Sequence, residues 1–559
     1  MSIASEIARL QQAKADLKTA INAKGRAITD EPLDEYAAEV DAIVTGGGAP
    51  TTGDYLVRFI DYDGTILKEE WVNSGNNATP PTLPDHSADC PDGGLTFVEW
   101  NNDYTNITQD LDVGACYNTT DGKTHATVEI TTKTGLALEL TMRATDTGTI
   151  SINWGDGNPT EDFAVTNSVL YVFTHTYPTI GVYRFSLDSN PTITYSLGSA
   201  GNNRAFLTSS VDTVSQGELL EIFCGVRVSS LMLSGETNLS RIAINPNIVL
   251  DTYETNYSRR FAQCSRVYAI VFPKTWLTFS DSTFDCTYGC HHIVVSKNTI
   301  HVGEFCFYFS NITHFNAFES ITTIKESAFS YCRNLSTKII KLDSLTTVVG
   351  ASQFHYCVKI EEVDMSITPS SILPTFGYCF SLKSIILREG ATSIQAAFVD
   401  NCVSLESIIL PSTITQILNY AFRSTVALKS LTIPQGVVTL GAYSFTSMQS
   451  LAELTLPSSV VVLPANGLRD TYMTDIYILG NITSIAGTFK YTSTNFKSFK
   501  MRFPNVTSVP TLADLNLFLI SNMHNSVKIF VPDSLVSAFK AATNWVKYSE
   551  YIYPISEDV

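Results

Sequence analysis

Ile324-Lys325-Glu326-Ser327-Ala328-Phe329-Ser330-Tyr331-Cys332-Arg333-Asn334-Leu335 is the stretch that decides the fold of this 559-residue chain. Its phenylalanine returns along the sequence at intervals of 22 to 25 residues. The phenylalanines of this series stand at 261, 284, 307, 329, 354, 376, 398, 422 and 445. Such even spacing predicts a repeat whose units are too small to bury an apolar face alone and are stabilised by stacking on their neighbours.

The spacing indicates a leucine-rich-repeat solenoid, since such repeats have a period of roughly 20 to 29 residues. Most copies carry an aliphatic residue six positions after the phenylalanine, as at Leu335 and Leu382. Apolar residues then alternate, as at Ile385 and Leu387, and proline often ends the segment, as at Pro411. Because proline has no N–H for a ladder, we predict one short strand per repeat, followed by a turn and a phenylalanine plug.

Cysteine occupies a recurrent slot three residues after the phenylalanine. The slot holds cysteine at Cys264, Cys332, Cys357 and Cys379 and, shifted by one residue, at Cys402. Ser310 and Thr425 fill it in other copies, which indicates a narrow interior column that accepts small residues. The chain has 11 cysteines and no visible secretory signal, so we expect these thiols to be free.

The repeats resemble the BspA-type leucine-rich repeat of gut-bacterial surface proteins and their phages. The resemblance is carried by the copy quoted above and by Leu451-Ala452-Glu453-Leu454-Thr455-Leu456-Pro457-Ser458-Ser459-Val460, and it covers residues 269–456. With degenerate outer copies we place the solenoid at residues 205–525. Residues 526–559 are expected to form a C-terminal cap, because the open end of a solenoid has to be covered.

Residues 1–45 carry a helical pattern with apolar residues at two heptad positions. The residues of this seam are Ile3, Ile7, Leu10, Leu17 and Ile21. Because an isolated helix of this length is marginal in water, the apolar stripe needs partners. We predict a coiled-coil segment that joins several copies of the chain, with a trimer favoured; an intramolecular helical hairpin is the alternative. Residues 46–53 have the composition of a flexible linker.

The same N-terminal segment resembles the start of many phage tail and baseplate proteins. The resemblance rests on Ser2-Ile3-Ala4-Ser5-Glu6-Ile7, Ala13-Lys14-Ala15-Asp16-Leu17-Lys18-Thr19-Ala20-Ile21 and Leu33-Asp34-Glu35-Tyr36. It covers a small part of the chain and implies that the N-terminus docks on another virion structural protein.

Two small β modules are expected between the linker and the solenoid. Residues 54–118 contain an Asp63-Gly64 hairpin turn and resemble the internalin-type B repeat, which implies a β-grasp-like spacer. The landmarks are Phe59-Ile60-Asp61-Tyr62-Asp63-Gly64-Thr65, Leu95-Thr96-Phe97-Val98-Glu99-Trp100 and Asp110-Leu111-Asp112-Val113-Gly114-Ala115-Cys116-Tyr117. The family usually has glycine before the tryptophan, where this chain has Glu99.

Residues 124–190 resemble the polycystic-kidney-disease (PKD) repeat, an immunoglobulin-like β-sandwich. The matching motifs are Trp154-Gly155-Asp156-Gly157, His175-Thr176-Tyr177 and Gly181-Val182-Tyr183. A catalytic role of Asp156 or His175, and a calcium site at Asp156 and Asp162, are alternatives to a role in turns and core packing. Turn chemistry favours the packing role, and both modules are expected to act as a stalk.

Composition and spacing argue against several function classes. The formal net charge is -18, and the chain has no cluster of Lys and Arg, so we expect neither nucleic acid nor an anionic membrane as a partner. The acidic group Glu361, Glu362 and Asp364 is typical of a solvated face, and no pair of carboxylates for glycoside hydrolysis is evident. We therefore expect no enzyme activity and no cofactor.

A zinc site is one further possibility. Cys286, Cys290, His291 and His292 lie close together in the sequence. Adjacent histidines on a strand point to opposite sides, however, so this spacing favours core cysteines and surface histidines over a metal.

One series of aromatic residues is a candidate binding surface. Phe309, Tyr331, Tyr356 and Tyr378 follow the plug by two residues in four successive repeats. Such a column could stack on sugar faces and donate hydroxyl hydrogen bonds, so we predict a receptor- or glycan-binding site; the alternative is a cover for the convex flank.

Together these features predict a mainly β, multidomain protein of a bacteriophage virion, a tail fibre that binds a glycan or protein of the host surface. A head fibre or decoration protein attached to the capsid, and a bacterial surface adhesin of leucine-rich-repeat type, are the alternatives. The expected location is the virion surface, after synthesis in the host cytoplasm without membrane insertion.

Overall fold

The computed structural model shows a mainly β chain, as the sequence predicts. It describes residues 54–558 except for gaps at 91–93, 132–135, 190–192, 199–205, 208–217, 247, 249–258, 338, 366–374, 388, 487–498 and 514–526. The predicted helical segment with Ile3, Ile7, Leu10, Leu17 and Ile21, and the linker that follows it, lie outside the described residues. Among the described helices, none has the length and apolarity that crossing a bilayer requires.

The first module is a four-stranded sheet. Its strands are β1 (Asp54–Ile60), β2 (Ile66–Asn73), β3 (Leu95–Trp100) and β4 (Leu111–Thr119), in the spatial order β2-β1-β4-β3. The β1–β2 hairpin turns at Asp63 and Gly64, where the φ of Gly64 is +93°, a value that favours glycine. β1 pairs in parallel with β4, and the Arg58 guanidinium forms two hydrogen bonds with the carboxylate of Asp112 across this pair, at 2.7 and 2.8 Å.

The second module is a β-sandwich. Its strands are β5 (Thr124–Ile130), β6 (Ala137–Ala144), β7 (Gly148–Asn153), β8 (Glu161–Val165), β9 (Leu170–Thr176) and β10 (Gly181–Ser189). Both of its sheets continue into the first solenoid strands, β11 (Tyr195–Leu197), β12 (Glu218–Phe223), β13 (Val228–Leu231) and β14 (Arg241–Ala243). The sheet orders are β14-β12-β5-β10-β7-β8 and β13-β11-β6-β9. The sandwich therefore covers the first turn of the solenoid.

From residue 259 onward the solenoid has two parallel ladders. The longer strands are β15 (Ala269–Val271), β17 (His292–Val294), β20 (Ile339–Lys341), β22 (Glu362–Met365), β23 (Ser384–Leu387), β25 (Ser407–Ile409), β28 (Glu453–Leu456), β30 (Asp475–Ile478), β32 (Phe499–Arg502) and β34 (Val527–Val531). The two-residue strands are β16 (Thr278–Phe279), β18 (His301–Val302), β19 (Thr323–Ile324), β21 (Thr347–Val348), β24 (Ser393–Ile394), β26 (Gln416–Ile417), β27 (Thr439–Leu440), β29 (Val462–Leu463), β31 (Ser484–Ile485) and β33 (Thr511–Leu512). Apolar side chains alternate inward, as Ile385 and Leu387 do on β23, and equivalent residues of successive turns pair in register.

The repeated phenylalanines form the core predicted from their spacing. Consecutive rings from Phe261 to Phe376 are stacked, with centroids 5.0 to 5.6 Å apart and interplanar angles of 15° or less. The stack breaks at Phe398, which meets Phe376 edge-on, because Val399 occupies the plug position of that turn. Val399 is fully buried, so a small plug is accommodated there.

This slip also explains the shifted cysteine. Cys402 lies three residues after Val399, and its thiol donates to the carbonyl of Phe376 at 3.0 Å. Cys332, Cys357 and Cys379 make the equivalent bond to the carbonyl of an earlier plug, at 3.0 to 3.1 Å. The expectation of free, buried thiols in the slot is confirmed.

The C-terminal residues cover the last turn. β35 (Ile552–Pro554) pairs in parallel with β34, and the helix α1 (Val536–Ala541) lies between them in sequence, flanked by 3-10 turns at Asp533–Leu535, Val546–Tyr551 and Ile555–Glu557. Phe539 and Trp545 are fully buried, and the Trp545 indole N–H donates to the carbonyl of Pro510 at 2.9 Å. Arg502 binds Asp475 and Asp558, which ties the tail to the ladder.

The first module does not extend away from the solenoid as a spacer. It lies on the long-strand ladder, where Ile60 and Cys116 form a buried cluster with Val271 and Val294. The Asn101 amide donates to the carbonyls of Phe272 and Val294, at 3.0 and 3.1 Å. Since Val271 and Val294 face outward from the ladder, the module covers a surface that the turns alone would expose.

Candidate functional site

The backbone of the solenoid defines a surface column, which we call the ladder slot, two residues after each plug. From Cys286 to Asp470 the slot residues have φ between 54° and 62°, the left-handed region. These residues are Cys286, Phe309, Tyr331, Tyr356, Tyr378, Asn401, Ser424, Ser447 and Asp470. From Cys286 to Ser447 each slot N–H donates to a carbonyl of the next turn, as Tyr331 does to His355 at 2.7 Å and Tyr356 to Gly377 at 2.9 Å. The inter-turn hydrogen bonds therefore hold this geometry whichever side chain is present.

The structure brings the four candidate aromatic residues together as one stack, which we call the aromatic ladder. Phe309 and Tyr331 have ring centroids 4.3 Å apart, Tyr331 and Tyr356 4.7 Å, and Tyr356 and Tyr378 4.5 Å, with interplanar angles of 12° to 18°. All four side chains are half-buried. Because each ring covers the face of the next, Tyr331 and Tyr356 present their edges to solvent, and only the end rings have a face without an aromatic neighbour in the stack.

Other aromatic side chains extend this surface. Tyr308 meets Phe309 and Tyr331 edge-on, at 4.7 and 5.7 Å. His355 lies between Tyr356 and Tyr378 in the same way, at 4.7 and 5.0 Å. The absence of a side chain at Gly377 makes room for this imidazole, since a Cβ there would lie 2.9 Å from the His355 ring.

The electrostatics of the ladder favour neutral hydrogen-bond donors. Burial and the neighbouring hydroxyls of Tyr378 and Tyr331 raise the pKa of Tyr356, so its phenol remains protonated at neutral pH. Burial lowers the pKa of His355, which keeps the imidazole neutral, against the opposing effect of Asp400. Arg333 is exposed, and its guanidinium carbon lies 5.7 Å from the Tyr331 ring centroid and 6.0 Å from that of Tyr356.

Aromatic residues are not the natural occupants of a left-handed slot. The left-handed conformation costs a residue with a Cβ roughly 1–2 kcal/mol. A stacked aromatic pair contributes about 0.5–1.5 kcal/mol beyond area burial, so stacking offsets much of this strain. Asn401, Ser424 and Asp470 show that polar residues fill the same slot. Stability alone therefore does not require the four aromatic rings, and strain held on a surface is a reason to suspect binding.

A second stacked pair lies on the same solenoid. Tyr420 and Tyr443 occupy another left-handed column, four residues before the ladder slot, with centroids 5.0 Å apart at 13°. Arg423 lies over Tyr420 at 4.7 Å and forms an ion pair with Asp400. Sequence reasoning missed this pair, as well as His355 and Arg333. An alignment of the repeat sequences on their plug residues would have shown that these side chains occupy positions close to the ladder slot in the repeat.

The other candidate sites do not assemble. Cys290 is fully buried in the core, whereas Cys286 lies in the ladder slot, and His292 is buried under the first module. Over the residues that the structure describes, no three His, Cys, Asp or Glu side chains converge as a metal site would require. Glu361 is paired with Lys383 at 2.9 Å.

The acidic residues of the sandwich are also separate. The Asp156 carboxylate accepts from the backbone N–H of Asn158 at 3.0 Å and lies 2.9 Å from Nε2 of His175. The His175 ring is stacked on Trp154 at 4.6 Å. Asp162 instead accepts from the Ser151 hydroxyl at 2.6 Å, so each carboxylate has partners of its own.

Comparison with protein families matches the repeats. The family model described as the BspA type leucine rich repeat region matches six copies, over residues 254–376 and 373–497. Residues 254–497 of the solenoid are therefore similar to BspA-type leucine-rich repeats. No curated protein matches this chain.

Several solved structures are similar to this chain at low identity. A leucine-rich cell surface protein of Faecalibacterium prausnitzii is 16% identical, with 48% of this chain and 85% of that chain covered and a TM-score of 0.29. A leucine-rich repeat protein of Bacteroides ovatus is also 16% identical, with 59% and 95% covered and a TM-score of 0.33. The pneumococcal vaccine antigen PcpA is 16% identical, with 58% and 85% covered and a TM-score of 0.27.

Proposed function

We propose that this BspA-type repeat protein is a non-enzymatic attachment protein, which binds a component of a bacterial surface through the aromatic ladder. The observation that carries the proposal is the stack of Phe309, Tyr331, Tyr356 and Tyr378 on strained backbone, where other turns use asparagine, serine or aspartate. The rings present edges and hydroxyls along a regular line. A row of equal weak contacts is suited to a repetitive ligand.

The display of this surface on a virion is the finer part of the proposal. It rests on the resemblance of residues 1–45 to phage tail and baseplate proteins, with those residues joining copies of the chain and docking on a virion protein. A tail fibre is favoured over a capsid-attached fibre. A bacterial cell-surface adhesin is the second candidate, because the BspA-type repeat that these copies resemble is also a repeat of gut-bacterial surface proteins.

The ladder is tested with replacements that the solenoid itself uses. Tyr331→Asn, Tyr356→Asn and Tyr378→Asn combined give these turns the residue found at Asn401, so the fold is expected to be retained. Labelled chain is bound to a panel of gut bacteria, and the variant is expected to lose most of the binding of the wild type. The matched control is Tyr420→Asn with Tyr443→Asn, which removes a stacked pair outside the ladder. Equal binding by the ladder variant and wild type would contradict the proposal.

The form of display is tested by fractionation. Antibodies to the solenoid are applied to density-purified phage particles and to the surface fraction of the bacteria that carry the gene. Labelling of particles at the tail supports a tail fibre, and labelling of the capsid supports the head fibre. Labelling of cells alone supports the adhesin and rejects the virion role.

A further inference from the structure

The segments that carry the aromatic ladder are rich in donors and contain no acidic residue, although Asp285 acts on Tyr308 near one end and Asp400 acts on Tyr356 near the other. The segments 308–312, 330–334, 355–359 and 377–381 contain the four ladder residues and their neighbours, and they include no Asp or Glu. They do include Arg333 and Lys359, although the whole chain has a net charge of -18. The next turn, after Tyr378, has an acidic residue beside the slot, Asp400. The ladder is thus a local neutral-to-basic strip on an acidic protein.

Arg333 forms no ion pair among the described residues, whereas another guanidinium that lies near a tyrosine of the solenoid does. At Tyr420, the guanidinium of Arg423 lies over the ring and also forms an ion pair with the Asp400 carboxylate, which is almost fully buried. At Tyr331 and Tyr356, the guanidinium of Arg333 lies near the rings and no carboxylate completes the arrangement. Guanidinium groups bind carboxylates through two parallel hydrogen bonds, so a carboxylate from a ligand fits this position.

We propose that the aromatic ladder binds an acidic polysaccharide whose chain runs along the solenoid axis. A ligand carboxylate binds Arg333, with Lys359 adding positive charge nearby. The hydroxyls of Tyr331, Tyr356 and Tyr378 donate to sugar oxygens in successive turns, and the end rings offer a face for a sugar ring. This inference rests on the proposed function and names the ligand class of the same surface.

The balance of donors and acceptors favours a polysaccharide over an acidic peptide. Every peptide residue other than proline brings a backbone N–H that needs an acceptor. The strip offers phenol oxygens but no carboxylate, and guanidinium and ammonium groups cannot accept. Sugar hydroxyls can donate to a phenol oxygen or accept from it, so they are satisfied by a row of tyrosines.

Binding is measured with the full chain and soluble polymers. The probes are a polyuronate, its neutral methyl ester and poly-glutamate, at several salt concentrations. We expect binding to the polyuronate that weakens with salt, and much weaker binding to the ester. Arg333→Gln is expected to lower the affinity for the polyuronate about tenfold, as the loss of one charge-assisted contact does. The control Lys429→Gln, an exposed cation on a separate column, is expected to change nothing.

The outcomes separate this inference from the proposed function. If the ladder tyrosines are needed for binding to cells but no polyuronate binds, the ligand class is wrong and the attachment role is intact. If poly-glutamate binds as tightly as the polyuronate, or if Arg333→Gln has no effect on polyuronate binding, the polysaccharide assignment is likewise overturned. Unchanged binding of cells by the triple asparagine variant removes the attachment role itself.

Discussion

The cysteine slot is a packing position in which the thiol also acts as a donor. The Sγ atom of Cys357 is buried and donates to the carbonyl of Phe329 at 3.0 Å, which also accepts from the N–H of Cys332. Burial and the neighbouring thiol of Cys332 raise the pKa of Cys357, so it stays a protonated, unreactive thiol. In the same slot, Thr425 donates to the carbonyl of Phe422 at 2.9 Å. Small side chains with one donor are thus interchangeable here.

Replacing this thiol should cost stability in proportion to the volume removed. Cys357→Ala leaves a small cavity and removes one weak hydrogen bond, so we expect the free energy of unfolding to fall by about 1–2 kcal/mol. Cys357→Thr restores a donor of the kind seen at Thr425 and is expected to cost less. Thermal or urea denaturation measures both variants. An alanine variant as stable as wild type would show that the slot is not tightly packed.

Glu236 should make stability decrease as the pH rises. Burial raises the pKa of Glu236 to about 8, although the N–H of Leu207 donates to its carboxylate at 3.1 Å and acts in the opposite direction. In the unfolded chain the carboxyl ionises near its usual pKa of about 4.5. The folded chain therefore holds a proton that the unfolded chain has lost, so this contribution is complete below about pH 4.5 and is lost as the pH rises to about 8.

Glu236→Gln removes this titration. Denaturation midpoints at pH 5 and pH 8 should therefore differ less in the variant than in wild type. If both proteins show the same difference between these two pH values, Glu236 is ionised in the fold and the argument from burial fails.

At the residue scale, the sequence predicted the periodic positions and missed those that depend on conformation. The plugs and the cysteine slot follow from spacing, because both repeat with the turn. The sequence could not show that Val399, and not Phe398, occupies the plug position of its turn, since the two residues are adjacent and both apolar. The left-handed φ of Tyr331 and Tyr356 could not be predicted either, because tyrosine rarely adopts it and these turns carry no glycine or asparagine at the slot.

At the scale of elements, the contact between the first module and the solenoid is the main departure from expectation. β4 lies against β15 and β17, where Gly114 approaches Val271 so closely that a Cβ would clash with the valine side chain. The Asp112 N–H donates to the Asn316 side chain at 3.1 Å, and the Asn316 amide donates back to the carbonyl of Asp112 at 3.0 Å. A strand whose outward residues are valines has the pattern of an ordinary buried strand, so nothing in its residues predicted that a module covers it.

Acid should weaken this contact. Burial lowers the pKa of His314 to about 4, Arg58 and His292 add to the effect, and Asp112 opposes it. The pKa of His292 is lowered by burial, Arg58 and His291, again against Asp112. Both imidazoles are therefore neutral when docked, whereas a solvated histidine takes up a proton near pH 6.5. The contribution of these neutral imidazoles to docking is therefore complete above that pH and is lost as the pH falls towards about 4.

Hydrogen exchange of the β15 and β17 amides at pH 7 and pH 4.5, corrected for the intrinsic pH dependence of exchange, measures this release. We expect faster corrected exchange at the lower pH in wild type and a smaller change in His314→Gln, which cannot gain the charge. His301→Gln, on the short-strand ladder, is the control and should behave as wild type. Equal protection at both pH values would mean that the interface tolerates charged histidines.

At the scale of the whole molecule, the modules and the solenoid form a continuous β structure. Both sheets of the sandwich pass into the first turns through β11 and β12, and the C-terminal strand β35 completes the long-strand ladder at the other end. The first and last described turns of the solenoid are thereby capped by other elements, as a stack of repeats requires. The sequence predicted the C-terminal cap. It also predicted the sandwich, but as a unit separate from the solenoid, because its strands alternate as those of an ordinary two-sheet core do.

If residues 1–45 join several chains, as we propose, the strength of attachment should depend on the number of chains joined. A ladder of partly exposed rings and single hydrogen bonds is expected to bind weakly, and joining several ladders raises the apparent affinity by a factor on the order of 10²–10⁴ without new contacts. Deleting residues 1–45 should therefore leave the melting temperature of the solenoid unchanged, reduce the mass measured by light scattering to that of one chain, and weaken binding to cells by at least about a hundredfold. Fusing the truncated chain to an unrelated trimeric coiled coil should restore binding, because the effect requires only the joining of copies. A truncated monomer that binds cells as tightly as the full chain would show that one ladder suffices and that oligomerisation has another purpose.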